Sequence, residues 1–434
     1  MRNKTAALKR VFITLTILPA LLSVTAKAQS GHATFVGTGS CSSSNCHGGV
    51  QPRKSSSVLQ NEYGTWIRHD KHSKAYTQLL TDDAKRMSAL LDLRPPHEEP
   101  LCLKCHSTYV PDEKLRGDKY QIEDGVSCES CHGAAEHWLE SHTVQGATHS
   151  ENLKNGLSDT VDLNTRAALC ISCHYGNEEK RVTHDLYGAG HPRLRFELDT
   201  FGILQPKHWV VDADYLERKE PYVPLRAWLI GQATLAKATV TTLRTATSSH
   251  EGALPELSLF DCFSCHHSLT EEQWKHRNYG GTPGRLKLNL ASLVTVQVAS
   301  SALKPSVAQK LEESLKELHH GYKDARAAEA AKEIEEILID HITPLFNQIR
   351  GDEETCLKVL QTLTQFAASS PWPTYELAEQ TAMGIQATIA TSLPISQRFE
   401  HRVKELFETL ATPKAFNPEN YVKAATRFNT FVKR

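Results

Sequence analysis

Ten of the eleven cysteines stand in five close pairs, and the residue after each pair is histidine. Four pairs share one spacing: Cys102-Leu-Lys-Cys105-His106, Cys128-Glu-Ser-Cys131-His132, Cys170-Ile-Ser-Cys173-His174 and Cys262-Phe-Ser-Cys265-His266. A fifth is stretched by two residues, Cys41-Ser-Ser-Ser-Asn-Cys46-His47. Two thiols on one helical turn reach the two vinyl groups of a porphyrin and form thioethers, and the next residue then lies beneath the iron as an imidazole ligand. With 22 histidines in 434 residues, five histidines in five such positions arise by chance about once in three million. A dithiol oxidoreductase wants one exposed Cys-x-x-Cys beside a βαβ pattern, not five repeats. Structural disulfides have no use for the histidine, and zinc does not require it directly after the second cysteine each time. The chemistry implied is five covalently attached haems c. Cys41, Cys46, Cys102, Cys105, Cys128, Cys131, Cys170, Cys173, Cys262 and Cys265 are the attachment points; His47, His106, His132, His174 and His266 are the proximal ligands. In the stretched motif the residues from Ser42 to Asn45 are small and turn-prone enough to loop out between the thioethers.

Each iron offers a second axial position. A methionine there would raise the potential, but beyond Met1 the chain has only Met87 and Met383, neither near a haem motif. His/His ligation with low to middling potentials is therefore expected. The candidates are His72 in WIRHDKHSKAYTQLL, His142 in CHGAAEHWLESH, His184 and His191 in THDLYGAGHPRLRFEL, and His97 in RPPHEEPLC. His69 and His137 share two of these segments and rank behind them. His267 adjoins a proximal ligand and points elsewhere. His319, His320, His341 and His401 lie in a haem-free tail and are expected at the surface. Cys356, left over in TCLKVLQTL, reads as a buried, inert thiol.

The elements that must hold these residues divide the chain in three. Residues 1–28 read as a cleaved signal peptide: Arg2, Lys4, Lys9 and Arg10, then an apolar Val11 to Val24, then Ala26-Lys27-Ala28. The apolar run is too short, and too promptly followed by that site, to favour an uncleaved anchor, and no later stretch is long and apolar enough to span a membrane. Residues 29–285 form the haem-bearing part, punctuated by Gly and Pro, with a long helix from Arg226 to Thr247 and almost no strand-like alternation. Residues 286–434 carry six apolar-periodic segments, the last being RFEHRVKELFETLA, and read as an antiparallel bundle of five or six helices. The fold class is mainly α: a multihaem cytochrome core with little regular sheet, followed by an all-α bundle. A net charge of −1 offers no basic excess for nucleic acid.

The succession GTGSCSSSNCHGG, LCLKCH, DGVSCESCHG, AGHPRLRFEL and DCFSCHH resembles the cytochrome c-554 family, in particular secreted members with a helical C-terminal extension. The resemblance covers about residues 35–280 and leaves out the tail. It implies a mostly helical core with closely stacked haem pairs, related in haem arrangement to hydroxylamine oxidoreductase and pentahaem nitrite reductase. It also implies that His72 of HSKAY and His191 of AGHP are ligand candidates. Five motifs instead of four, one of them stretched, depart from the family's founding pattern. The expected function is periplasmic electron transfer between redox partner proteins; the charged faces of the C-terminal helices read most simply as solvated surface, with docking of a partner as the alternative. The rival is a multihaem oxidoreductase acting on a small nitrogen or sulfur compound at one five-coordinate haem.

Overall fold

The computed structural model describes residues 33–54, 58–177, 179–248, 256–262, 265–266, 287–320, 325–370 and 373–434. The leader expected over residues 1–28, and His267, lie outside the described residues. Residues 33–434 form one compact unit. Helix dominates it. Among the described residues the strand-like pairings are two isolated bridges, Phe35 with Arg116 and Phe260 with Leu288, in line with the missing period-two alternation.

The haem-motif part is built from short helices: α1 (Glu62–His69), α2 (Pro100–His106), α3 (Cys128–His132), α4 (Leu163–His174), α5 (His184–Ala189) and α6 (Leu198–Leu204). Most begin on a local side-chain cap. Glu99 accepts from the Leu101 N–H ahead of Pro100, Asp162 from Thr165, Thr183 from Leu186, and Glu197 from Asp199 and Thr200. The segment WIRHDKHSKAYTQLL is not one helix. Asp70 ends α1 and its carboxylate accepts the His72 N–H, opening a 3-10 turn over Lys71–Lys74. A capping aspartate thus offers the backbone an alternative to continued helix and sends His69 and His72 to different elements. The described apolar core here is small; one cluster unites Tyr76, Leu79 and Leu103. A stretch of this length needs more apolar filling than that, and porphyrin faces would supply it.

The rest of the fold centres on α7 (Pro224–Ser248), followed in the tail by α8 (Ala291–Leu303), α9 (Pro305–His320), α10 (Ala325–Ile337), α11 (Glu353–Ser369), α12 (Tyr375–Thr391), α13 (Leu393–Glu408) and α14 (Pro418–Val432). Leu225, Ala227, Trp228, Leu229, Ile230, Ala236 and Val240 of α7 are all buried, and a helix apolar on nearly every side belongs in a core. It packs against α4 and α6 of the haem-motif part and against α8, α10 and α12 of the tail. Its one deeply buried amide is satisfied: Gln232 Nε2 donates to Gln380 Oε1 at 2.6 Å, and Gln232 Oε1 accepts from Thr295 Oγ1 at 3.0 Å.

Three details differ from the sequence reading. Helix α14 was not anticipated, although Tyr421, Ala424, Ala425, Phe428 and Val432 are buried at helical spacing and Asn417 caps it ahead of Pro418. Helix α10 continues through a π-helical stretch, Leu338–Ile342, into Thr343–Asn347. Pro344 there lacks the N–H that would bond Asp340 in an unbroken α-helix. His319, expected at the surface, is buried, because it falls on the face of α9 that carries Leu311, Leu315 and Leu318; His320, His341 and His401 are exposed.

Helices α7 and α12 meet through a glycine. A Cβ on Gly384 would stand 2.4 Å from Cζ2 of the buried Trp228 indole. Gly384→Val is expected to lower stability by about 2 kcal/mol through overpacking. A thermal unfolding midpoint equal to that of the parent protein would contradict this contact.

Candidate haem sites

The regular motifs lie on helical turns. Cys102 to His106 end α2, Cys128 to His132 make up α3, and Cys170 to His174 end α4. One turn places both sulfurs on a single side and the histidine just past them. In the Cys262 motif the His266 N–H donates to the Cys262 carbonyl at 2.8 Å. The stretched motif reaches the same end by another path. The His47 N–H donates to the Cys41 carbonyl at 3.0 Å, while the Cys46 and Gly48 N–H groups both turn onto Ser43 O, at 3.0 and 2.9 Å. The two extra residues are absorbed in that loop and the bond from histidine to first cysteine is kept. Only glycine fits at position 48, where a Cβ would sit 1.8 Å from Ser42 O. No disulfide joins the ten motif cysteines, and their sulfurs are the groups that would form the thioethers. Cys356 is a buried thiol on α11.

Every motif histidine faces one other imidazole. The ring centroids of His47 and His142 are 6.2 Å apart, His106 and His191 6.5 Å, His132 and His208 6.3 Å, His174 and His72 6.1 Å, and His266 and His184 6.2 Å. Two imidazoles bound on opposite sides of one metal by bonds of about 2 Å, each nitrogen about 1.15 Å from its ring centre, have centroids about 6.3 Å apart. All five pairs meet that spacing. The rings are near-parallel for His47/His142 (9°), at 30° for His184/His266, and at 83–88° for the other three. Rotation about the shared axis leaves the spacing unchanged, so the angle is set by the local backbone. Among the described residues no three His, Cys, Asp or Glu side chains gather to hold a bare metal ion. Two imidazoles per site suit an iron whose four equatorial ligands come from a macrocycle.

The partners come from dispersed elements. His72 sits in the 3-10 turn after Asp70, His142 in the 3-10 turn Ser141–Thr143, and His184 at the start of α5. His191 follows the left-handed Gly190 that ends α5. His208, in QPKHWVVDAD after α6, was not singled out from the sequence; it stands far from the motif it faces and in no recognisable pattern. His97 pairs with no ring among the described residues. Its Nε2 lies 3.5 Å from Glu98 Oε1, and its Nδ1 is buried without a hydrogen bond. His69 and His137 are exposed.

A ring that binds iron through Nε2 must hand its Nδ1–H to the protein. Five of the ten do so by direct contact: His47 Nδ1 with Glu62 Oε2 (2.9 Å), His72 Nδ1 with Asp70 Oδ1 (2.8 Å), His106 Nδ1 with Ala75 O (3.0 Å), His142 Nδ1 with Trp138 O (3.1 Å) and His191 Nδ1 with Pro192 O (2.7 Å). Their Nε2 atoms are left for the metal. Burial, helped by the facing rings His208 and His72, pushes His132 and His174 down to about 4. Burial likewise lowers His191 and His208. Neutral imidazole is the ligating form. His72 goes the other way, because the hydrogen bond to Asp70 outweighs its burial.

The attachment sites adjoin one another. Burial and then the nearby Cys41 sulfur push the Cys128 thiol up to about 12. Burial and then Cys170 do the same to Cys131, also to about 12. Cys105 and Cys173 are hydrogen-bonded, which raises the first and lowers the second. Burial raises Tyr187, whose ring touches His191; the Leu194 backbone and Arg193 oppose it, and the Cys262 sulfur adds a smaller rise. These proximities set the sites in a row: Cys41/Cys46, then Cys128/Cys131, Cys170/Cys173 and Cys102/Cys105, with Cys262/Cys265 beyond, near Tyr187.

One buried carboxylate joins the first two sites. Glu129, between the cysteines of α3, accepts from the N–H groups of Val36 (2.9 Å), Gly37 (2.8 Å) and Ala135 (2.8 Å). It pins the strand-like lead-in to Cys41 against the Cys128 motif.

Residues 40–133 match the family model for cytochrome c554 and c-prime. The matched segment includes the stretched motif and the Cys102 and Cys128 motifs, and the extension after the motifs is helical. No curated protein and no solved structure matches the chain. The match names a cytochrome family and spans less than a quarter of the chain. Among the described residues no helix is long and apolar enough to cross a membrane.

Proposed function

We propose that this protein relays single electrons in the periplasm by means of five covalently bound haems c, each held by two histidines. The observation that carries the reading is the ring pairing: five motif histidines, each opposite one other imidazole at 6.1–6.5 Å. The ligand sets are His47/His142, His106/His191, His132/His208, His174/His72 and His266/His184. Haem supplies a one-electron iron couple. The chain does the rest. Its cysteines would hold the cofactors by thioethers, its paired imidazoles would ligate each iron and leave no room for a small molecule, and its row of adjoining sites would keep each transfer short. No axial position is left for a substrate in this arrangement, which favours the carrier over the oxidoreductase. The division follows the sequence: a leader over 1–28, a haem-bearing part over 29–285 and a helical part over 286–434 that offers a face for docking a redox partner.

Two measurements on the matured protein test this. Mass spectrometry should give five haem additions on a chain beginning at Gln29; four would refute attachment at Cys41 and Cys46. Electron paramagnetic resonance of the oxidised protein should contain low-spin iron alone. A high-spin signal equal to one haem, altered by nitrite or hydroxylamine, would overturn the carrier in favour of the enzyme.

A further inference from the structure

We propose that Glu62 and Asp70 set low potentials at two of the five sites, those of His47/His142 and His174/His72, by accepting the Nδ1–H of an axial ring. This deepens the electron-relay reading and rests on it. The acceptors behind the described axial rings fall into two chemical kinds. Ala75, Trp138 and Pro192 offer peptide carbonyls to His106, His142 and His191, whereas Glu62 and Asp70 offer carboxylates to His47 and His72. A carbonyl leaves the ring a neutral imidazole. A carboxylate draws the shared proton towards itself and gives the ring part of the character of imidazolate, a stronger donor to iron. Donor strength and nearby negative charge both favour the ferric state, so reduction becomes harder.

Three features keep this effect from being diluted. Both carboxylates are largely buried, the Asp70 side chain at 8% exposure and that of Glu62 at 15%, where charge is poorly screened. Among the described residues neither pairs with a lysine or an arginine; the other Asp70 oxygen meets only the Gln205 amide at 3.5 Å, and the other Glu62 oxygen meets the Gln60 N–H at 3.0 Å. Each is also fixed in place, Asp70 by the His72 backbone N–H at 3.0 Å and Glu62 by its position in the first turn of α1.

The placement has a pattern along the row. The Cys41/Cys46 and Cys170/Cys173 sites are backed by a carboxylate. The Cys128/Cys131 site between them pairs His132 with His208, and the Cys102/Cys105 site beyond has only carbonyl acceptors. Glu62 and Asp70 also act through space on His208, so the Cys128/Cys131 site feels their charge without the hydrogen bond, and the lowest potentials belong to the two sites whose ring a carboxylate bonds.

Asp70→Asn and Glu62→Gln test this in the full-length holoprotein. Asparagine retains an oxygen for the ring and is as good a cap as aspartate; glutamine keeps an acceptor in the same way. Spectroelectrochemical titration should show one potential raised most in each variant, a different one in each, and the low-spin resonance of that haem shifted. Five low-spin haems with all potentials as in the parent protein would overturn the inference. Should Asp70→Asn lose its haem, Glu62→Gln alone decides. Failure of the underlying relay reading looks different: the parent protein itself would show high-spin iron or fewer haems before any substitution is made.

Discussion

His208→Gly is expected to convert one haem of the five from low-spin to high-spin while leaving all five attached. In the proposed arrangement the thioethers come from Cys128 and Cys131 and the proximal ring from His132, none of which the substitution touches. What it removes is the ring whose centroid stands 6.3 Å from that of His132. No spare imidazole replaces it, because the other ring that acts on His132, His47, already faces His142. The measurement is the integrated high-spin signal of the oxidised variant, expected at one equivalent, with added imidazole returning it to low spin. The vacated side of the iron should also bind small anions that the parent protein ignores. A fully low-spin spectrum would remove His208 from the ligand set and return His97 to contention.

The second large effect is expected at Glu129. Its carboxylate is 4% exposed and accepts three backbone N–H groups, two from the lead-in to Cys41 and one from the loop after α3. Glu129→Ala leaves these buried donors without partners, and a stranded donor costs about 1–3 kcal/mol, so a total of about 4 kcal/mol is expected after partial relaxation. Glu129→Gln keeps one acceptor oxygen but turns an N–H₂ towards a facing N–H, and should cost about 2 kcal/mol. Denaturant unfolding measures both. Because the pinned segment leads into the stretched motif, Glu129→Ala should also lower haem occupancy at Cys41 and Cys46 in peptide mass maps. Parent-like unfolding with full occupancy would show that the strap is dispensable.

How much of this could be read from the chain depends on whether a feature is local. The haem attachment motifs were legible because covalent chemistry fixes their spacing, and even the stretched one betrays itself by ending in Cys46-His47. Distal ligands have no such constraint. His142, His184 and His191 stood out because they lie close after a motif or in the segment between two of them, and His72 by its company in HSKAY. His208 faces a ring from a distant motif, and nothing in QPKHWVVDAD records that. His97 lies close to a motif, but its ring stands against Glu98 and faces no other imidazole among the described residues. The break at Asp70 has a local signal, since an aspartate two residues before His72 can cap the following turn. Helix α14 carries a cap at Asn417 and an apolar stripe, both of them local features of the sequence.

Helix α7 has a consequence for the redox chemistry although it binds no haem. It grips α4, which ends in Cys170, Cys173 and His174, from one side and the tail helices from the other. Its buried amide is locked to two of its neighbours through Gln380 and Thr295. Electron transfer slows when ligands and their surroundings must rearrange as the iron changes charge. In the proposed relay, a frame this densely anchored would keep that reorganisation energy small at the Cys170/Cys173 site, and the haem-free third of the chain would contribute stiffness to a process in which it takes no chemical part.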